Sequence, residues 1–442
     1  MTPKKKNQTV QAWIISVDMG YGHQRAAYPL KDIAYERMIT ANNDKIISVK
    51  EKKLWNRTRQ FYEFVSRLSH VPIIGPLTFG VYDSFQKIRP LFPFRNLSKP
   101  NWSVRLLKRM ILRGLCASLI DYTSKNDLPV VTTHFIPALA YHYHGREVYC
   151  VVTDSDVNRI WVPDNPQTGK ITYFSPGKHA TLRLTEYGVP PERIVETGFP
   201  LPKENVGVQG ELCKHDLLAR LVNLDPKKVF FEKYKGMIQD KLLPGKKLDI
   251  EKVSKYHTHP LTITFMVGGA GVQKEIATHI LTSFREEIEK GNIRINLVAG
   301  TKIEIKEFFE KEIQKQNLQT ITSVVQIIFA LDKRTYFEKI NAALRTTDIL
   351  WTKPSEMSFY TGLGIPLIMC TPIGDHENFN REWILHIGSG IDQKDPAFTK
   401  EWLNYWIEEG RLADCAIQGF IDAPAQGTYH IENYLRQKNV KK

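Results

Sequence analysis

Cysteine is scarce and scattered in this sequence. Cys116, Cys150, Cys213, Cys370 and Cys415 stand singly among 442 residues, with no C-x-x-C pair and no histidine at ligand spacing. That usage excludes a disulfide framework and a zinc site as organising devices and fits a reducing compartment such as the cytosol. Long apolar runs are lacking too. No stretch of 18 uncharged apolar residues occurs, and the first residues are lysines followed by a strand-length apolar run with no small-residue cleavage site. Neither a spanning segment nor a secretion signal is therefore expected. Internal repeats and low-complexity tracts are absent, which sets aside solenoids and propellers. Acids are scarce in one region in particular. Between Lys45 and Arg113 there are fifteen Lys and Arg against three acids, an excess that carries most of the net charge of +14.

What is present is alternation. With 42% hydrophobic residues the chain can build ordinary packed cores, and its length suggests about two to three domains of roughly 150 residues. A buried-strand run at 13–18 (WIISVD) leads through a glycine turn into a helical pattern over 24–38, and further strand runs fall at 129–133, 148–154, 171–174 and 193–198. A second series begins at 261–269 and continues at 295–300, 324–330, 348–353 and 365–371. Strands alternating with helix-compatible segments predict an α/β protein with parallel sheets, here two doubly wound Rossmann-like domains. Residues 1–200 form the first, with a basic aromatic insertion at about 45–113; residues 201–415 form the second, with a charged, helical insertion at about 203–260; a helical tail covers 416–442. The boundary lies in GFPLPKENVGV, where prolines and glycines interrupt any regular element.

Polar residues cluster where strand runs end, and ligands of open α/β sheets bind outside the carboxyl ends of strands. Gly20-Tyr21-Gly22-His23 follows the first run. Glycines permit a tight turn there, and a histidine at a helix start can take a hydroxyl proton. Thr133-His134 and Thr153-Asp154-Ser155-Asp156 end later strands of the same half. Either aspartate alone also fits a cap or a turn. In the second half Gly268-Gly269-Ala270-Gly271 precedes a helical pattern, a cradle for phosphate that needs no side-chain charge, although tight strand-to-helix packing has the same look. Lys353-Pro354-Ser355-Glu356 ends another strand, and Glu377 and Asn380 follow the next one. A lysine can balance a diphosphate, while carboxylate and amide groups can hold sugar hydroxyls.

The ordered series of these motifs resembles a known family, the two-domain GT-B glycosyltransferases that include the peptidoglycan GlcNAc-transferase and the monogalactosyl- and processive diacylglycerol glycosyltransferases. The family's Gly-x-Gly-His-x-x-Ala-Ala matches Gly20, Gly22, His23, Ala26 and Ala27, and its Thr-His-x-x-Pro-Ala matches Thr133, His134, Pro137 and Ala138. Val152 to Asp154 and Gly188 to Pro200 match two further elements; Gly268, Gly269 and Gly271 match the nucleotide-domain glycines; Asp348, Lys353 and Pro354 match a strand motif; and Glu377 and Asn380 match Glu-x-x-Asn. The likeness leaves out residues 40–125 and 203–260. One position departs: counting back from Gly364 to Pro366, the family's ribose-holding glutamate falls on Phe359, and Glu356 stands one helical turn earlier.

The resemblance implies two Rossmann-like domains facing across a cleft, with the N-terminal domain taking the acceptor and the C-terminal domain taking a nucleotide-sugar diphosphate, most simply a UDP-sugar. Transfer would invert the anomeric centre, with no bound metal and no cofactor. His23 is then the expected base and Asp154 the second candidate, with Gly22, His134 and Asp156 on the acceptor and Gly268, Gly269, Gly271, Lys353, Ser355, Glu356, Glu377 and Asn380 on the donor. The same scaffold also carries nucleotide-sugar 2-epimerases, and the altered loop after Lys353 keeps open a degenerate domain that only binds. The basic segment interleaves rings, among them Trp55, Phe92, Phe94 and Trp102, with cations that include Arg105, Lys108, Arg109 and Arg113. That mixture suits the inner face of an anionic membrane and, with it, a lipid acceptor. No nucleic-acid motif is visible.

Overall fold

The computed structural model describes residues 10–57, 88, 91–268, 271–372 and 375–440. The chain divides into two compact units: Met1–Pro200 together with Gln426–Lys442, and Leu201–Ala425.

In the first unit six parallel strands, β1 Trp13–Ser16, β2 Ile39–Thr40, β3 Val130–Thr132, β4 Val148–Val151, β5 Ile171–Ser175 and β6 Ile194–Glu196, lie in the order β2-β1-β3-β4-β5-β6. Both faces of the sheet are covered, which is why its strands read as continuous apolar runs. Trp13, Ile15 and Val17 enter the core on one face, and Ala12 and Ile14 enter the other. The second face is closed by the helix Gly427–Val440 through Ile431 and Leu435. The segment read from sequence as a tail over 416–442 is thus divided, its residues up to Ala425 lying with the second unit. The pattern at 24–38 yields only a short α-helix, Gly22–Ala27, followed by the 3-10 helix Tyr28–Ile33. Pro29 lacks an N–H to continue the α-helical ladder. Of the basic insertion, residues 49–57 are helical, and the helix Trp102–Leu112 buries Val104, Leu107 and Ile111. Its N-cap is Asn101, whose side chain accepts from the Val104 N–H at 3.1 Å. The basic and aromatic residues between Thr58 and Lys87 lie outside the described residues.

The second unit repeats the plan. Strands β7 Leu261–Met266, β8 Ile293–Gly300, β9 Val325–Phe329, β10 Ile349–Thr352, β11 Leu367–Met369 and β12 Gly390–Asp392 lie parallel in the order β12-β11-β10-β7-β8-β9. The region read as an insertion is part of its core. Helices Glu211–Leu224 and Val229–Leu242 bury Leu217, Leu221, Phe231 and Ile238 beneath the sheet. Buried Arg220 donates to the carbonyls of Thr347 (2.6 Å), Leu363 (3.1 Å) and Gly364 (2.9 Å), satisfying backbone oxygens that have no strand partner. In each sheet the chain reverses its direction of travel once, between β1 and β3 and between β7 and β10. Those are the crevices where such sheets bind ligands.

Candidate functional site

At the β1/β3 crevice of the first unit three strand tips deliver polar groups: His23 beyond β1, Thr133 and His134 beyond β3, and Thr153 and Asp154 beyond β4. His23 Nδ1 lies 2.6 Å from the Thr133 carbonyl oxygen. A carbonyl only accepts, so the ring proton sits on Nδ1 and Nε2 is the basic nitrogen. Thr133 Oγ1 returns a bond to the His23 carbonyl at 2.7 Å, which ties the two segments both ways. Thr153 Oγ1 is 3.4 Å from the same Nδ1.

His134 adopts the opposite tautomer. Its Nδ1 accepts from the Ile136 N–H at 3.1 Å, capping the helix Phe135–Tyr143 and leaving the proton on Nε2. Burial, and secondarily the neighbouring His23, hold its pKa well below the ordinary imidazole value. The two rings meet edge to face with centroids 4.4 Å apart. Phe135 stacks on His134 at 4.3 Å, and Trp161 stands 6.3 Å from His23. One imidazole is thus set to accept a proton beside another that stays neutral, against an aromatic wall.

Gly22 begins the His23 helix and is half-buried, as is Asp154. Asp156 departs from its expected acceptor role. It is 3% exposed, and its carboxylate accepts from Arg183 Nε and NH2 (both 2.9 Å) and pairs with His179 Nε2 at 3.0 Å. Burial alone would raise its pKa, but these bonds outweigh it and hold the carboxyl below its ordinary value. Asp156 therefore fastens the helix Lys178–Glu186 to the loop that follows β4.

At the β7/β10 crevice of the second unit, Gly268 follows β7 and Lys353 follows β10. The Lys353 side chain crosses so close over Gly268 that a methyl group there would overlap it. The Gly271 N–H closes a turn onto the Gly268 carbonyl at 2.8 Å, with φ at +72°, a conformation suited to glycine. Lys353 Nζ pairs with Glu377 Oε1, and Glu377 is buried. Ser355 and Glu356 are half-buried and Asn380 is buried. Phe359 packs its ring on Trp383 at 5.1 Å, so the family's glutamate position is occupied by core in this chain. Gly269 lies outside the described residues. Sequence reading overlooked the Thr133 carbonyl, Thr153 and Trp161 as neighbours of His23. The first two sit inside motifs it had quoted, whereas no local signal marks Trp161.

Comparison with known proteins finds similar chains among sugar-transferring enzymes. Over 298 residues the chain is 24% identical to the processive diacylglycerol beta-glucosyltransferase of Bacillus cytotoxicus, a match taking in 66% of this chain and 63% of that protein. The enzyme of the same name from Bacillus cereus is 24% identical over 250 residues, 56% of this chain and 50% of the relative. By sequence the chain resembles the GT-B glycosyltransferases. It spans less than two thirds of the length of these curated relatives. Residues 249–431 match a family described as a domain of unknown function, DUF6938. Among solved structures, Staphylococcus aureus MnaA with UDP superposes over 97% of both chains at 13% identity with a TM-score of 0.47. Acinetobacter baumannii MurG superposes over 97% of this chain and 99% of its own, at 11% identity and a TM-score of 0.44.

Proposed function

We propose that the chain transfers a sugar from a nucleoside-diphosphate sugar, most simply a UDP-sugar, to the hydroxyl of a lipid acceptor with inversion at the anomeric carbon. The observation that carries this reading is the 2.6 Å bond from His23 Nδ1 to the Thr133 carbonyl. It makes Nε2 the nitrogen able to take a proton at the strand tips. In the reaction the acceptor O–H proton passes to Nε2 as the acceptor oxygen bonds to the anomeric carbon. The bond from that carbon to the diphosphate oxygen breaks, and the nucleoside diphosphate leaves with the electron pair. Lys353 would stabilise that charge, and Gly268, Gly269 and Gly271 are assigned to the donor as glycines that leave room for it. Glu377, Asn380, Ser355 and Glu356 are assigned to the donor's hydroxyls, and Asp154 with His134 and Gly22 to the acceptor.

Supporting a lipid acceptor are the names of the Bacillus relatives and the helix Trp102–Leu112. Its outer face exposes Trp102, Arg105, Arg109 and Leu112, with Arg113 just beyond its end. Among the described residues no helix is long and apolar enough to cross a membrane, so binding at the inner face would be peripheral. The test is incubation of the whole protein with UDP-glucose, UDP-galactose or UDP-GlcNAc and vesicles holding diacylglycerol, with mass-spectrometric readout of the lipid. A glycosylated lipid carrying the inverted linkage is expected. Conversion of UDP-GlcNAc to its 2-epimer without lipid product would replace this reading by the epimerase one.

A further inference from the structure

The amino ends of the second sheet, opposite the donor loops, hold a cleft of about 750 Å³, a size that suits a small ligand. It lies entirely in the second unit, beside the start of β7 and the residues just before β8. Gly268 stands past the far end of β7, about 20 Å away at roughly 3.3 Å per residue.

Three kinds of group line it. At its floor is His259, 8% exposed, whose Nδ1 lies 3.0 Å from the Pro260 carbonyl. Behind that nitrogen is Asp348, with Oδ2 at 3.6 Å. The same Oδ2 accepts from the Thr262 N–H (2.7 Å) and Asn223 Nδ2 (2.9 Å), so the group is fixed from two further sides. The carbonyl puts the ring proton on Nδ1, so Nε2 is an acceptor. Asn223 and Asn292 donate to Asp348 and Glu287 respectively, so each brings an amide oxygen as a further acceptor.

Cations come next. Lys228 holds a left-handed backbone conformation, φ +59°, which is uncommon for a lysine and tends to persist at functional positions. The acid in the lining, Asp225, gives its oxygens to the N–H groups of Phe230 (3.1 Å) and Phe231 (2.8 Å) and so is engaged elsewhere. His257 is exposed at the rim. Val253 and Leu261 supply apolar wall.

Acceptors at the floor call for hydroxyl donors, the Lys228 cation calls for an anion, and the apolar wall suits the face of a ring. We infer that this cleft binds a small phosphorylated sugar or polyol, its hydroxyls on His259 Nε2 and the asparagine oxygens and its phosphate on Lys228 and His257. The site is separate from the donor loops and does not depend on the transferase reading.

The test uses the full chain labelled with ¹³C-histidine and titrated with glucose 1-phosphate. The signals of His257 and His259 are assigned through His257→Gln and His259→Phe. Both signals should shift saturably, at least tenfold more tightly than with glucose. Lys228→Gly removes the charge while favouring the native backbone conformation, so it should keep the fold and weaken binding at least tenfold. Lys353→Met combined with Glu377→Gln should leave the affinity within twofold. Shifts that never saturate, or affinity unchanged in Lys228→Gly, would overturn the assignment. So would loss of these shifts in the Lys353 and Glu377 double variant, which would place the phosphate at the donor loops.

Discussion

His23 and Asp348 illustrate what fixing a proton can do. The Thr133 carbonyl holds the His23 proton on the nitrogen that faces the protein, so His23→Ala should lower transfer about 10²- to 10⁴-fold. Its melting temperature should barely move, because the ring is half-exposed and fills no core. Steady-state rates and a melt on the same preparation check both halves, and undiminished turnover would remove His23 as the base. Asp348 is the opposite case, a carboxyl that burial pushes up to about 8 against the pull of Arg220 and the bonds from Thr262 and Asn223. Such a group keeps its proton in the native state where the unfolded chain has lost it, so stability falls as pH rises from about 4 to about 8. His259 counters this below about pH 6.5, since burial lowers its pKa and the unfolded chain takes up the proton first. Between about pH 6.5 and 8 the Asp348 slope should stand out for this pair, at up to about 1.4 kcal/mol per pH unit. Asp348→Asn keeps an acceptor for the Thr262 N–H and cannot ionise. Urea denaturation at the two pH values should show the loss in the parent and not in the variant; equal losses would mean that Asp348 is ionised throughout.

For elements, the helix Trp102–Leu112 separates packing from charge. Val104, Leu107 and Ile111 point into the core, so the helix is held whether or not its outer face binds anything. Lys108 differs from the other cations in the set. It pairs with Asp164 at 2.7 Å and lies over the Tyr143 ring, so reversing it would break a local contact. The informative variant changes Arg105, Arg109 and Arg113 to Glu and leaves Lys108 alone. With about 1 kcal/mol per cation near an anionic surface, removing three should weaken sedimentation with phosphatidylglycerol vesicles by at least 100-fold. Added salt should weaken the parent in the same direction. Binding indifferent to both changes would exclude an electrostatic anchor. Element order was readable from sequence because doubly covered parallel strands appear as apolar runs, as in WIISVD and LTITFMV. The edge strands β2 and β12 were not, since two or three residues carry too little pattern. Nor was the role of residues 211–242, whose charged faces hide Leu217, Leu221, Phe231 and Ile238 packed on a sheet that starts later in the chain.

At the scale of the whole molecule the chain folds as two compact units, and the two halves of the proposed chemistry are assigned to different units. Glycine, lysine and histidine motifs at strand ends were legible because they directly follow apolar strand runs. The partners that tune them were not, since Thr133 lies 110 residues from His23 and Glu377 lies 24 from Lys353, with only the fold bringing each pair together. This division makes donor binding separable from acceptor activation. A nucleoside diphosphate at about 100 times its dissociation constant adds about 2.7 kcal/mol to the state that binds it, on the order of 5–10 °C for a unit of this size. His23→Ala should retain that increment with UDP in full. Lys353→Met alone would strand the buried Glu377 carboxylate without its cation, a cost of about 3–5 kcal/mol that would confuse the reading. Gly271→Val would also mislead, because φ is positive there and a Cβ would come within 2.9 Å of Ile305. The double variant Lys353→Met with Glu377→Gln removes charge from both partners, and it should melt near the parent temperature and lose most of the UDP increment. If UDP stabilised the double variant as much as the parent, Lys353 would not hold the diphosphate. Loss of the increment in His23→Ala instead would tie nucleotide binding to the first unit and end the assignment of separate tasks.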